Sequence, residues 1–308
     1  MSRHPRINIV ALLLLIAAFA GSVIALKRVE GIRGKQATLE EVLYVPSGKT
    51  LKQLSLGYSG LLADIYWTRA VQYYGQRLMG AKEEVPRYDL LYPLLDITTD
   101  LDPHLIVAYE FGSVFLSQQP PVGAGQPDKA VTLLEKGIRA NPDYWRLYFT
   151  LGFVQYIDRH DYKAAQQAFE KGSENPKALY WMKVMAARMA ERANDPNTAI
   201  YLWTHIYESV EDKMVRDNAL QHIAAAHVDV DVPELERRIM MFQQKSGHLP
   251  ATWQELVRDG LLGGVPLDPT NRPYKLMEDG RVQVEDPDSL PFITHGLPPG
   301  WKKSTKPH

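Results

Sequence analysis

The sequence predicts a mainly α-helical protein: an array of helical hairpins after an N-terminal transmembrane helix, closed by a small C-terminal α+β lobe. Three observations carry this expectation. An uncharged apolar stretch fills residues 7–26, a 3.6-residue apolar period with recurring markers fills the middle of the chain, and two short β-type runs flank Asp279-Gly280. The segments that follow are 1–26 (N-terminal tip and transmembrane helix, or a signal peptide), 27–53 (tether), 54–229 (helical array) and 230–308 (lobe and tail).

The apolar stretch, INIVALLLLIAAFAGSVIAL, carries no charge, and as a helix it spans about 30 Å, the thickness of a bilayer core. Arg3 and Arg6 precede it and Lys27 and Arg28 follow it. With the amino terminus inside, the bulk of the chain lies in the periplasm, held to a bacterial inner membrane. The competing reading is a signal peptide cut after Ala20, because Ala18-Phe19-Ala20 has the small-residue spacing a signal peptidase accepts. That reading makes the chain a soluble exported binding protein for a small ligand or peptide.

Residues 27–53 are polar and broken by Gly31, Gly34, Pro46 and Gly48, the composition of a tether. Gly48-Lys49-Thr50 is expected to be a turn rather than a phosphate loop, since Leu43 stands where that motif needs glycine. From Leu54 to about Met79, Leu54, Tyr58, Leu61, Leu62, Ile65, Tyr66, Arg69 and Tyr73 recur at helical spacing, with Asp64 at the edge of the helix pair. A second helix runs from about Pro86 to Leu101 and stops at Asp102-Pro103, which makes the pair a hairpin.

The next segment repeats. Phe111-Gly112, Ala130, Leu134, Gly137 and Pro142 form one copy, interrupted by an expected surface loop at 118–127. Tyr148, Leu151, Gly152, Ala165, Phe169, Gly172 and Pro176 form the next, and Ala186, Ala187, Ala199, Trp203 and Ile206 a third. This pattern resembles the tetratricopeptide repeat, over about residues 105–213. Small residues at Gly152 and Ala165 allow two helices to approach, and Phe169 and Trp203 fill the space between successive hairpins.

The resemblance implies a concave groove built from the first helix of each hairpin and used to hold a protein or peptide partner. By position, the groove residues are Tyr109, Ser113 and Leu116; Arg146, Phe149, Phe153 and Tyr156; and Trp181, Val184 and Arg188. Aromatic side chains and arginine are the types that carry interface energy. The alternative is that the chain's own terminal segments fill the groove.

Composition narrows the function. With 45% hydrophobic and 23% charged residues among 308, the chain is of the folded kind, and 35 Lys and Arg against 36 Asp and Glu give a net charge of -1, which argues against a nucleic-acid partner. The absence of cysteine removes disulfides, thiolate catalysis and cysteine zinc sites. His222 and His227 are five apart, roughly 140° around a helix, so they are not expected to share a metal. No catalytic residue, metal or cofactor is expected, and the chain reads as a non-enzymatic scaffold.

After Asp229-Val230-Asp231-Val232-Pro233 a separate helix is expected through Leu235, Ile239 and Phe242, then a short one from Thr252 to Asp259 with Thr252 as its cap. Strands Tyr274 to Met277 and Arg281 to Val284 form a hairpin through Asp279-Gly280, and residues 285–308 read as irregular structure ending in a frayed tail. The run Gly247-His248-Leu249-Pro250, Trp253 to Leu256, Gly260-Leu261-Leu262, Pro266-Leu267-Asp268-Pro269 and Pro273-Tyr274 resembles the periplasmic part of type II secretion pseudopilins and related type IV pilin-like proteins. The start Met1-Ser2-Arg3-His4 lacks the processed leader of a pilus subunit, so the resemblance implies an assembly or docking role. A calcium site on Asp286 and Asp288, by analogy with pseudopilin loops, is not expected.

Overall fold

The computed structural model describes residues 21, 48–80 and 87–302. The expected transmembrane span, apart from Gly21, and most of the tether lie outside the described residues; among the described helices none is long and apolar enough to cross a membrane.

Helices α1 (Gly48–Leu54), α2 (Ser59–Gly80), α3 (Leu91–Leu101), α4 (Ile106–Ser117), α5 (Pro127–Ala140), α6 (Trp145–Phe153), α7 (Tyr162–Ser173), α8 (Trp181–Arg192) and α9 (Pro196–Ser209) lead into the long α10 (Lys213–Ser246). From α2 onward successive helices pack antiparallel as hairpins, each against the next. Local chemistry sets the helix starts. Pro127 and Pro196 open α5 and α9, and the carboxylates of Asp161, Asp195 and Asp212 accept from the first backbone amides of α7, α9 and α10.

Two expectations are corrected at the start of the array. Gly48 begins a helix rather than a turn, because α1 lies against α3; a Cβ at Gly48 would stand 2.8 Å from Asp100 Oδ2. The long helix begins at Ser59, not Leu54, and buries Ala63, Tyr66, Ala70 and Tyr73 while Leu54, Tyr58, Leu61 and Ile65 stay exposed. The loop at 118–126 runs over the surface as expected and is tied down: Tyr74 and Tyr88 donate to the carbonyls of Val122 and Pro121.

The close approach expected at Gly152 is present. A Cβ there would lie 2.6 Å from the ring of Phe169, itself fully buried between hairpins with Ala165 beside it.

The break expected after residue 229 does not occur. Helix α10 is continuous from Lys213 to Ser246 with Pro233 inside it. Proline removes one ladder hydrogen bond. Packing on both sides holds the helix: Val228, Val232, Leu235 and Ile239 are buried against the lobe, the backbone amides of Thr294 and His295 donate to Asp229, and Tyr274 donates to Asp231.

The lobe comprises α11 (Trp253–Arg258) and an antiparallel pair, β1 (Lys275–Leu276) with β2 (Val282–Gln283), closed through Gly280 at φ 81. Both strands are shorter than expected. Thr252 stands at the start of α11 without capping a backbone amide; its hydroxyl reaches Glu255 instead, at 3.4 Å. Asp268 organises the preceding turn, its Oδ1 accepting from Thr270 and from the Arg272 amide. The segment after 285 is packed as far as Trp301, since Leu290 and Ile293 are buried and Phe292 stacks on His222 at 3.8 Å, and the end expected to fray, 303–308, lies outside the described residues.

That stack joins three parts of the molecule. His222 of α10 lies between the Phe292 ring of the lobe and the Trp203 ring of α9, 4.1 Å away. Glu191 of α8 accepts from Trp203 Nε1 and from His222 Nδ1, both at 2.7 Å. Glu191→Ala leaves two enclosed donors without an acceptor, and the expected loss is about 2–4 kcal/mol in chemical unfolding, with the α10 and lobe amides losing hydrogen-exchange protection first.

Gly152→Ala is expected to cost about 1–3 kcal/mol by forcing Phe169 from its site. Gly75→Ala, in α2 with open space where the Cβ would go, is expected to gain about 0.5–1 kcal/mol from helix propensity. Thermal unfolding followed by circular dichroism separates the two; equal shifts would contradict the packing assigned to Gly152.

Candidate functional site

Helices α4, α6 and α8 are the first members of successive hairpins; α4 touches α6, and α6 meets α8 through ring contacts. On α6 and α8 four rings meet. Trp145 stands edge-on to Phe149 at 6.0 Å, Phe149 to Phe153 at 4.9 Å and to Trp181 at 5.1 Å, and Phe153 meets Trp181 at 6.0 Å. Behind them Phe153 packs edge-on against the buried Phe169 at 5.2 Å. The front rings are half-buried and Trp181 is 36% exposed, so the cluster is anchored in the core at one side and open to solvent at the other. Edge-to-face pairs hold such rings in fixed orientations.

Cations surround the rings. Arg146 and Arg188 are exposed, and Arg192, one turn beyond Arg188, lies over the Tyr156 ring at 5.2 Å and the Tyr162 ring at 5.8 Å. None of these arginines forms an ion pair among the described residues. On α4 the carboxyl of Glu110 is pushed above the usual range by burial, and the nearby Arg146 pulls it back.

The sequence-predicted set divides. Arg146, Phe149, Phe153, Trp181 and Arg188 fall on the open face. Val184 is half-buried on α8. Tyr156 lies in a single π-helical turn, Val154–Asp158, that extends α6, and its ring contact is with Tyr162 at 6.1 Å under Arg192. The α4 residues are corrected: Tyr109, Ser113 and Leu116 are fully buried. Tyr109 fills the space over Gly137, where a Cβ would stand 2.7 Å from its ring, and burial pushes its hydroxyl up to about 12. The open face of α4 is rotated by one to two residues and presents Val107, Glu110, Phe111 and Val114, with Phe111 53% exposed.

Sequence reasoning therefore missed Glu110, Phe111, Trp145, Tyr162 and Arg192. Helical spacing carried part of this signal, since Arg192 follows Arg188 by four and Phe111 and Val114 lie on one face.

The other candidates are quiet. His222 is buried and His227 exposed, on different faces of α10, and Asp286 pairs with Arg272 at 2.7 Å. Among the described residues no cluster of His, Asp and Glu has metal-binding geometry. A cleft of about 310 Å³ between α7, α8 and α9 is lined by Glu170, Lys183, Tyr201 and His205 and is widely open to solvent.

Compared with known proteins, the chain matches no family model, and no curated protein or solved structure is significantly similar to it.

Arg146→Ala is expected to raise the Glu110 pKa further, because it removes the charge that offsets burial, while Arg188→Ala leaves it unchanged. Carboxyl-carbon NMR titration of Glu110 measures both; an unmoved Glu110 in the first variant would refute the coupling across the groove.

Proposed function

We propose that this chain is a membrane-anchored periplasmic scaffold of the tetratricopeptide-repeat kind, held by residues 7–26, that docks a protein partner rather than catalysing a reaction. The observation that carries the reading is the half-buried ring cluster Trp145, Phe149, Phe153 and Trp181 bordered by Arg146, Arg188 and Arg192. Rigid aromatics lose little rotamer entropy when covered, and guanidinium groups without an ion pair among the described residues favour a carboxylate. The occupant is an extended protein segment with apolar side chains and an acidic group. Its binding covers rings that the array otherwise leaves wet.

The packing supports this choice over filling by the chain's own end. The described C-terminal segment is committed to α10 through Leu290, Phe292 and Ile293. The repeat-like markers Gly152, Ala165 and Phe169 lie at one close helix contact, which supports the family resemblance. The lobe, with its Asp268 turn and Trp253 donating to the Tyr274 carbonyl at 2.7 Å, supports a pilin-like module and an envelope-assembly setting.

The test uses the full chain in its own cells, with a photo-reactive phenylalanine analogue at Trp181. A protein adduct is expected, lost when Phe149→Ala is combined and retained when Met214→Ala is; partner affinity falls about tenfold or more in Phe149→Ala with an unchanged melting temperature. Absence of any protein adduct overturns the docking groove. Carbonate-washed membranes and the mass of the mature chain test the anchor: retention at full length is expected, and a soluble chain beginning at Gly21 replaces the scaffold with an exported binding protein.

A further inference from the structure

Away from the groove, α1, the turn after it and the start of α2 carry apolar side chains that the fold does not use. Leu54 is 67% exposed, Leu56 88%, Tyr58 70% and Leu61 60%. Ile65 continues the same face of α2, opposite the buried Ala63, Tyr66, Ala70 and Tyr73. Two turns further on, that face becomes polar with Thr68, Arg69 and Gln72. Exposed apolar side chains are densest at this end of the helix and in the turn, while at the far end of the helix Met79 is also exposed.

The turn itself holds its apolar tip outward. Leu56 adopts φ 50, a left-handed conformation that costs energy for a branched side chain, and Gly57 follows at φ 94. Among the described residues its side chain stays 88% exposed, so packing there does not offset that cost. Beside it, Lys49 and Lys52 project from α1, both exposed and neither in an ion pair among the described residues. Asp64 is the single acid in α2.

We propose that this end of the molecule rests on an anionic phospholipid surface. Leu54, Leu56, Tyr58 and Leu61 enter the interfacial layer, and Lys49 and Lys52 meet headgroup phosphates. Chain length supports this occupant: only residues 27–47 separate the apolar stretch 7–26 from Gly48, and a chain of that length reaches about 70 Å at most and about 25 Å as a coil. Interfacial contact fixes the tilt of the array and so the direction in which its groove opens. The inference rests on the membrane reading proposed above and adds a second point of contact to it.

The absence of cysteine makes the test clean. Leu56→Cys, Leu61→Cys and, as a distant control on α10, Met214→Cys are each labelled with an environment-sensitive fluorophore in the full chain, with circular dichroism confirming the fold. The chains are reconstituted into phosphatidylcholine and phosphatidylglycerol vesicles containing brominated acyl chains. Labels at 56 and 61 are expected to shift to the blue and to be quenched about twofold or more, less so without phosphatidylglycerol, while the label at 214 stays water-like. Unquenched labels at 56 and 61 overturn the proposal, whether their emission is water-like or blue-shifted by cover from a second copy, a partner or residues 27–47. Failure of the anchor reads differently: the chain then leaves the vesicles in a carbonate wash, and quenching recorded before the wash still supports the lipid contact.

Discussion

The molecule depends on one carboxylate. Glu191 receives the Trp203 indole and the His222 imidazole, and through the His222 ring the lobe's Phe292 is stacked onto the array. Each of the hydrogen bonds contributes about 1–3 kcal/mol because one partner is charged, and the stacked rings add buried area at fixed orientation. Donors from α9 and α10 thereby share one acceptor on α8, and the lobe joins them through the stack of Phe292 on His222. This acceptor adds a polar link between array, strut and lobe to the apolar packing of α10 on α9 and on the lobe.

The continuity of α10 follows from the same arrangement. A helix of 34 residues with proline inside it is not stabilised by propensity alone. Its first half is clamped by α9 and its second half by the lobe, and the acids around the proline, Asp229 and Asp231, face donors from the lobe instead of solvent. The helix is a strut because two cores hold its ends.

The open ring face has the opposite character. Its rings are ordered from behind by Phe169 and from the side by one another, and their front edges are left open. A surface ordered before contact has little entropy left to lose on contact. The arginines at its rim place positive charge beside an apolar floor, and burial holds the Glu110 carboxyl above the usual range.

Much of this was legible in the chain. The 3.6-residue period located the helices, and Gly152 with Phe169 announced a close helix crossing, because spacing and side-chain size are read directly from the chain. Arg146, Phe149, Phe153 and Trp181 came from the repeat resemblance, and the structure puts them on one open face. The rotation of α4, which buries Tyr109, Ser113 and Leu116 and turns Glu110 and Phe111 outward, was not legible, because the period locates a stripe without saying which of two apolar sides meets the neighbour. The passage of α10 through Pro233 was missed for a related reason: local preference argued for a stop, and burial of Val228, Val232 and Ile239 outweighed it. The stretch 285–302 looked irregular and is so apart from one 3-10 turn, yet it is fixed through Phe292. By itself the sequence determined where helices form and which residues are able to pack, since those depend on spacing and side-chain chemistry; only the tertiary structure decided which face, which partner and which apolar residues stay wet, since those depend on contacts made far along the chain.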